Sequence, residues 1–166
     1  SRRERQMCIR DRAGYDGHIS TSLNATSWDN KTSGTTKHLR EITYGNDKFV
    51  VIGNSGTILT SSDNGSTWDT RTSGIDREMH GVLYSNDTFV TVANLGKILT
   101  SSDGISWTSR TSGVSSYLRD VGFGNSTFVV VGLSGTILTS SDGTTWTSRT
   151  SGSSNRLDGI TYGNSI

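Results

Sequence analysis

One phrase recurs along the chain and constrains its fold more than any other feature. It reads GTILTSSDNGSTW at residues 56–68 and returns, with small changes, at residues 96–107 and 135–146. A weaker copy, GHISTSLNATSW, occupies residues 17–28. The tryptophans that end the copies are separated by 40 residues at the first step and by 39 at each of the next two. Such regular repetition indicates one structural unit that is used several times.

The repeated unit carries signals for strands and tight turns throughout. In the first complete repeat the sequence predicts strands at residues 42–44, 48–52, 57–61 and 67–71. The connecting turns are rich in Gly, Asn and Asp, which accept the positive φ angles of hairpins. Four short strands in a period near 40 residues are typical of a β-propeller blade, and the apolar pattern of a helical repeat is missing. The predicted fold class is therefore all-β, built of four-stranded antiparallel blades.

The strand signals also divide the chain into blades. Complete blades are predicted at about residues 41–80, 81–120 and 121–158, with partial blades at residues 13–40 and 159–166. We expect an open arc, because propellers usually close with about four to eight blades. The second strand of each blade is apolar nearly throughout, which predicts burial on both faces. The fourth strands are polar, as solvated outer edges need to be.

Composition excludes several function classes. The net charge of +1 offers no basic surface for nucleic acid, and apolar runs such as residues 128–131 are far too short for insertion into a membrane. The single cysteine, Cys8, cannot form an internal disulfide bond. The three histidines have no metal-ligand spacing, so we predict neither a metal nor a cofactor.

Residues 1–12, SRRERQMCIRDR, do not follow the repeat. They are basic and show no strand alternation. They resemble the translated adapter DNA that recurs at the ends of metagenomic reading frames, so we predict a non-native tail at residues 1–12. A basic arm is the alternative interpretation. The propeller is then expected to span residues 13–166.

The SSDNGSTW run at residues 61–68 resembles the Asp-box, or BNR, repeat of sialidase-like β-propellers. The later copies at residues 101–107 and 140–146 are one residue shorter. The flanking Gly-Asn-x-x-Phe-Val and Trp-x-x-Arg-Thr-Ser-Gly elements resemble bacterial BNR-like repeat proteins. The resemblance covers residues 14–166 and implies the propeller fold, with a secreted or cell-surface location favoured. It implies no single activity, because similar repeats occur in sialidases, sorting receptors, photosystem II assembly factors and surface proteins.

The positions that are the same in each copy of the motif predict a structural turn rather than a metal or catalytic site. The Asp carboxylate can accept backbone N–H groups across its own turn, Gly can take the left-handed conformation, and Trp can cover the hairpin. The spacing lacks the alternating ligands of a calcium loop. In the weaker copy Asn24 and Ala25 replace Asp and Gly, so we expect the least well-formed turn there. The structural set is Asp63, Gly65, Trp68, Asp103, Gly104, Trp107, Asp142, Gly143 and Trp146.

Positions that differ between the repeats are free to serve a binding site. Alignment of the repeats on Tyr44 and its equivalents places the variable columns in the link that precedes each blade's first strand. Loops on one face of a rigid scaffold commonly bind ligands. We predict a ligand-binding face there, with ordinary loop variation as the alternative. Its candidate residues are His38, Glu78, Tyr117 and Arg156, then Arg40, His80, Arg119 and Asp158, and finally Glu41 and Asp120.

Together these features favour a non-enzymatic scaffold that binds a protein or carbohydrate partner, and no catalytic residue is predicted. Self-association through open blade ends is a further option. The alternative is a fragment of a sialidase-like glycoside hydrolase, in which Arg40, Arg119 and Arg156 would contact a carboxylate. The Arg-Ile-Pro motif of the enzymes that this resemblance implies is absent, since the chain contains no proline. A protein similar to photosystem II assembly factors is the third candidate.

Three repeated arginines need a separate interpretation. Arg71, Arg110 and Arg149 occupy one equivalent position in each repeat, on the predicted outer strand. Side chains on outer strands of successive blades cannot converge on a central site. We therefore predict surface arginines there rather than a carboxylate-binding triad.

Overall fold

The computed structural model describes residues 10–163, which form four antiparallel sheets. Blade I consists of β1 (Arg10–Ala13), β2 (Ile19–Ser22) and β3 (Asp29–Lys31). Blade II consists of β4 (Leu39–Gly45), β5 (Lys48–Gly53), β6 (Ile58–Ser61) and β7 (Asp69–Arg71). Blade III consists of β8 (Met79–Ser85), β9 (Thr88–Ala93), β10 (Ile98–Ser101) and β11 (Thr108–Arg110). Blade IV consists of β12 (Leu118–Gly124), β13 (Thr127–Gly132), β14 (Ile137–Ser140) and β15 (Thr147–Arg149).

Every blade is a meander in which each strand pairs with the next one in sequence. The first hairpin of blade II turns through Asn46 and Asp47, whose φ angles are 46° and 55°. The next connection is a single 3-10 turn, Asn54–Gly56. A Cβ atom on Gly56 would lie 1.9 Å from the carbonyl oxygen of Ile75, so the close approach of the two backbones requires glycine there. None of the helices among residues 10–163 has the length and apolar character that a membrane crossing requires.

The blades are arranged side by side around a common inner surface. The first strand of each complete blade packs against the first strand of the next, β4 against β8 and β8 against β12. The polar fourth strands β7, β11 and β15 form the outer edges. This arrangement is that of a partial β-propeller, and the all-β prediction is confirmed. The first strands are longer than predicted: β4 begins at Leu39 rather than at residue 42, because it continues through a β-bulge.

The hydrophobic core lies between the blades. Val50 of β5 packs in a cluster shared with blade III, whereas the adjacent Val51 packs in a cluster shared with blade I. Both side chains are fully buried, as are Val90 and Thr91 in blade III, so the prediction that second strands are buried on both faces is confirmed for these two blades. In blade IV the equivalent Val129 is partly exposed. Trp107 packs against the cluster between blades II and III, with its ring centroid 6.3 Å from that of Phe89. Each blade is therefore held by apolar contacts with its neighbours.

The turn between the third and fourth strands of each blade, here called the Ser-Asp turn, is closed by its own side chains. In blade III the Ser101 hydroxyl accepts the N–H of Gly104 at 2.8 Å. The Asp103 carboxylate accepts two backbone N–H bonds across the turn, each 2.8 Å long, and these bonds lower the pKa of Asp103. The Trp107 indole N–H donates to the Gly104 carbonyl at 3.1 Å. Equivalent bonds close the turns of blades II and IV.

The Ser-Asp turn of blade I keeps the bonds to its polar side chain but is less completely closed than the others. The Asn24 amide oxygen accepts two backbone N–H bonds, each 2.9 Å long, in place of the carboxylate. Ala25 takes the left-handed conformation of the missing glycine, with φ at 62°, at some cost in strain. The indole N–H groups of Trp68, Trp107 and Trp146 each donate to a turn carbonyl, whereas that of Trp28 makes no such bond among the described residues. This turn is therefore the least completely bonded of the four, as the sequence predicts.

Residues 157–163 extend the pattern beyond blade IV. Their sequence, LDGITYG, is identical to that of β4, LREITYG, at five of seven positions. The N–H of Ile160 donates to the Asp120 carboxylate at 2.9 Å, which ties this segment to β12. The Tyr162 ring lies directly over Gly124, where a Cβ atom would be 2.0 Å from the ring. The segment thus packs on blade IV as the first strand of a further blade would.

The beginning of the described chain places an acidic residue in the core of blade I. Residues 10–12 belong to β1, and residues 1–9 lie outside the described range. The non-native origin proposed for residues 1–12 therefore stays a prediction. Asp11 pairs with Thr21 as Val50 pairs with Thr60, so it occupies the position of a core valine. Its carboxylate oxygens are buried with no hydrogen-bond partner among the described residues. Burial raises the pKa of Asp11 to about 6.

We predict that Asp11→Val stabilises the protein, and does so more strongly as the pH rises. The pKa of Asp11 is raised in the folded state, so the wild type loses stability as the pH rises from about 4 through about 6, and the valine variant has no such loss. Because the carboxyl is only partly buried, the gain above pH 6 is about 1 kcal/mol. Urea unfolding of the wild type and the valine variant, below and above pH 6, measures this difference in the free energy of unfolding.

The control for this experiment is Asp29→Val, which makes the same change at an exposed position on β3 of the same sheet. It is expected to change the free energy of unfolding little, with no increase in its effect across this pH range. Equal effects of the two substitutions would contradict the assignment of Asp11 to the core.

Candidate functional site

One residue of each complete blade is released from strand pairing by a β-bulge. The register of the first hairpin skips Arg40 in blade II, His80 in blade III and Arg119 in blade IV. Bulges commonly redirect side chains next to functional sites. Because the three first strands lie side by side, these residues follow one another across the inner surface, and we call them the bulge row. The sequence placed them in the interblade links, whereas they lie in the first strands themselves.

Arg40 lies at one end of the bulge row, where two neighbouring side chains hold its guanidinium group. Arg40 donates from Nε to the Asn54 amide oxygen at 2.7 Å. Its Nη2 lies 3.4 Å from Oε2 of Glu78, which comes from the link before β8. Asn54 begins the 3-10 turn of blade II, so the rigid turn fixes the direction of the guanidinium group.

The centre of the row is a neutral histidine. The His80 side chain is 5% exposed, and its Nε2 lies 2.7 Å from the Asn94 amide oxygen. The Asn94 amide nitrogen donates in turn to Glu78 Oε2 at 3.3 Å. Burial is the main cause that lowers the pKa of His80, with a contribution from the two neighbouring arginines, whereas Asn94 and Glu78 oppose it. The imidazole is therefore uncharged at neutral pH, with Nε2 donating to Asn94 and Nδ1 left as an acceptor.

Arg119, at the other end of the row, has one N–H donor without a hydrogen-bond partner among the described residues. Arg119 Nη1 lies 3.3 Å from His80 Nδ1 and 3.2 Å from Nε2, and because Nε2 carries the proton, Nδ1 is the acceptor of the Arg119 N–H. Its Nε–H is buried and meets no acceptor among residues 10–163. The cause is a substitution in the repeat: blades II and III begin their 3-10 turns with Asn54 and Asn94, whereas blade IV has Leu133. A buried donor without a partner is costly, so an acceptor from outside that draws the Arg119 side chain towards it would be favoured.

The charges of the cluster favour an anion. Two guanidinium groups face one carboxylate, that of Glu78, and the buried histidine is uncharged, which leaves one excess positive charge. Guanidinium groups bind carboxylates and phosphates through paired N–H donors. The row can therefore hold an anionic group on a rigid base of three adjacent strands.

The two asparagines were missed by the sequence analysis, which assigned residues 53–56 to a turn. A signal for them was present, since the first position of the 3-10 turn is not repeated. It holds Tyr15, Asn54, Asn94 and Leu133 in the four blades. Variation at that position determines which bulge residue receives an internal partner.

Glu41 and Asp120, which the sequence also placed on the ligand face, bond to the neighbouring blade instead. The Glu41 carboxylate accepts the backbone N–H of Val82 at 2.5 Å, and Asp120 makes the bond to Ile160 described above. Burial raises the pKa of Glu41 to about 7; the Val82 N–H opposes this shift and the nearby Asp120 adds to it. Both carboxylates thus join successive blades.

The other candidates do not join the row through hydrogen bonds. His38 stacks on Tyr15 with ring centroids 3.9 Å apart, and Tyr117 is 39% exposed. Arg156 and Asp158 pair with each other and are both more than half exposed. Of the ten candidates, the structure connects four into one cluster, namely Arg40, Glu78, His80 and Arg119.

The repeated arginines lie on the outer strands, where the sequence predicted them. Arg71 donates from Nε to the Thr60 hydroxyl at 2.8 Å, across the pair β6–β7. Arg110 and Arg149 make the same bond in blades III and IV. These arginines join the two outer strands of their own blade.

A groove of about 450 Å³ lies next to the bulge row, between β1 and β4. It is lined on one side by Arg12, Ala13 and Gly14, and on the other by residues 40–42. In the complete blades the corresponding side of the second strand is paired with a first strand. The groove therefore corresponds to the position of a first strand of blade I.

Comparison with known proteins supports the fold. No protein-family model matches the chain, and no curated protein matches it. A structure of YCF48 bound to a D1 peptide has a TM-score of 0.69 at 16% identity, and the match covers 92% of this chain and 53% of that one. YCF48 from Cyanidioschyzon merolae has a TM-score of 0.62 at 18% identity, covering 83% of this chain and 51% of that one.

An ancestral GH74 enzyme is also similar, with a TM-score of 0.66 at 13% identity, and the match covers 83% of this chain and 22% of the enzyme. The chain thus spans about half the length of the YCF48 chains and less than a quarter of the enzyme. These likenesses, at low identity, concern architecture alone. The chain is an arc of β-propeller blades, similar in fold to YCF48 and to this GH74 enzyme.

Proposed function

We propose that this propeller arc is a non-enzymatic binding module that holds a protein partner through an anionic group placed on the bulge row. The observation that carries the proposal is the buried Nε–H of Arg119, which has no acceptor among the described residues. A carboxylate placed against this nitrogen would satisfy it and would also meet the excess positive charge of the row.

The likeness to YCF48 bound to a D1 peptide supports a protein partner, since a propeller of similar architecture holds a peptide. A carbohydrate that carries a carboxylate would present the same chemistry to Arg119, and it is the alternative ligand.

The Ser-Asp turns support placing the repeat with the Asp-box, or BNR, propellers, for which a secreted or cell-surface location would be expected. A role like that of a photosystem II assembly factor is a narrower candidate, and it would require a photosynthetic source.

We predict that Arg119→Gln weakens binding of a fluorescein-labelled peptide that carries two adjacent glutamates. Loss of a charge-assisted hydrogen bond costs about 1.5–3 kcal/mol, which corresponds to at least a tenfold rise in Kd. Fluorescence anisotropy measures the effect, with the glutamine version of the peptide as the uncharged comparison. A carboxylated oligosaccharide used as competitor tests the alternative ligand.

The matched control is Arg149→Gln, which removes the same charge from the outer strand of the same blade. It is expected to leave the Kd within about twofold, because exposed charges far from a site are screened by salt. The proposal fails if both variants weaken binding equally, or if the wild type does not prefer the glutamate peptide.

The second candidate function is a fragment of a sialidase-like glycoside hydrolase, and its support is the fold shared with a GH74 enzyme. Hydrolysis of this kind needs two groups in acid, base or nucleophile roles around the scissile bond. The carboxylates nearest the bulge row in sequence, Glu41 and Asp120, accept backbone N–H bonds from the neighbouring blade. This bonding makes them poor candidates for those roles.

We therefore expect no release of methylumbelliferone from a fluorogenic sialoside above the buffer rate. Glu41→Gln provides the control for any activity observed, since it removes a candidate carboxylate but keeps a side-chain oxygen that can accept the Val82 N–H. Turnover by the wild type that this substitution abolishes would favour the hydrolase.

We also propose that self-association occurs by addition of a strand to the groove beside β1. Residues 157–163 match β4 at five of seven positions, and they form no strand pair among the described residues. Extended segments bind readily to free strand edges. On the face of blade IV, Val129 is partly exposed although the equivalent Val50 and Val90 are fully buried, which adds an uncovered apolar surface at that end.

This proposal predicts one register. Thr43 pairs with Val50 in blade II, so Thr161 of one copy should face Asp11 of another. In a Cys8→Ser background, Asp11→Cys combined with Thr161→Cys should form a disulfide between copies, detected by mass spectrometry on a mixture of isotopically light and heavy protein. Each single substitution is the control. A disulfide within one copy, or none, would refute strand exchange.

A further inference from the structure

Glu78 is the one acidic member of the cluster around the bulge row, and its contacts are those that an anionic ligand would make. Its Oε2 lies 3.4 Å from Arg40 Nη2, 3.3 Å from the Asn94 amide nitrogen and 4.0 Å from His80 Nε2. A cationic group and an amide donor thus converge on one carboxylate oxygen. The free protein fills part of its own anion site.

The contacts of Glu78 are long and partly exposed to solvent. Its contacts of 3.3–3.4 Å are longer than the 2.7 Å bonds that Asn54 makes to Arg40 and Asn94 makes to His80. The Glu78 side chain is 45% exposed, whereas that of Arg40 is 27% exposed. Ion pairs with this much solvent contact contribute little to stability, so the carboxylate can turn into solvent at little cost.

The repeat does not require an acidic residue at this position. The same column holds His38 before blade II, Tyr117 before blade IV and Arg156 before the segment that follows it. The bonds of Arg40 to Asn54 and of His80 to Asn94 do not involve the side chain at position 78. The Glu78 carboxylate therefore matters chiefly for the charge of the row.

We infer that Glu78 is an internal competitor of the ligand, which holds the Arg40 half of the row until an acidic peptide displaces it. The inference rests on the proposed function. At the other end Arg119, whose Nε–H has no acceptor among the described residues, turns towards the first carboxylate of the peptide, and the second carboxylate replaces that of Glu78. A peptide with two acidic groups is favoured over one with a single group, because only the former recovers the contacts that Glu78 gives up.

The test is Glu78→Gln, measured by anisotropy with the labelled two-glutamate peptide. Glutamine keeps the shape of the side chain and can still accept the Asn94 N–H, but it carries no charge to compete for Arg40. We expect the Kd for this peptide to fall about fivefold or more, with no change for the glutamine version. Preference for two glutamates over one should increase in the variant, since the second carboxylate no longer has to displace that of Glu78.

The matched control is Asp69→Asn, which makes the same charge change at an exposed residue of β7 that pairs with Arg71 outside the cluster. It is expected to leave the Kd within about twofold. Equal tightening by both substitutions would show a general effect of net charge, and weaker or unchanged binding in Glu78→Gln would show a structural role; either result overturns the inference.

The two proposals fail in different ways. If Arg119→Gln weakens binding and Glu78→Gln does not strengthen it, the anion site stands and the competitor does not. If the two-glutamate peptide binds neither the wild type nor Glu78→Gln, both proposals are refuted. A tighter complex in Glu78→Gln that is again weakened by adding Arg119→Gln is the result that both require.

Discussion

Burial of the second strand between two neighbours is the interaction on which the rest of this structure depends. Val50 and Val51 are adjacent in β5, yet they belong to separate clusters on opposite sides of blade II. A single blade would leave both surfaces in water, so the blade gains its hydrophobic stabilisation only by being stacked. This is also why Asp11, at the position of Val50, is poorly accommodated in blade I.

The stacking of blades creates the candidate site. Residues about 40 positions apart in the sequence become neighbours only because β4, β8 and β12 lie side by side. At the start of each of these strands a bulge turns one side chain out of the pairing pattern. In blades II and III the first residue of the 3-10 turn bonds to that side chain. Two recurring backbone features therefore present three variable side chains to one surface.

The period, the Gly-rich turns and the apolar second strands were enough to predict the blades, because each of these features reflects local backbone geometry or burial. The bulge could not be predicted, since Arg40, His80 and Arg119 share no residue type and a skipped residue leaves no mark on a short alternating pattern. The partners Asn54 and Asn94 were also missed, because Asn is equally common as a turn former. The bonds by which Glu41 and Asp120 join neighbouring blades could not be predicted either, because they depend on the distance between blades, which the sequence of one repeat does not show.

A repeated scaffold makes differences between its copies informative about function. The same backbone position provides an amide to Arg40 in blade II and to His80 in blade III, but Leu133 provides none to Arg119 in blade IV. If the row served only stability, a third asparagine would satisfy the buried Nε–H at the cost of one substitution. With leucine there the donor stays without an internal partner, and this is the feature on which the proposed ligand site rests. The fold supplies equivalent positions, and the unequal residues at those positions are what the proposed binding site is built from.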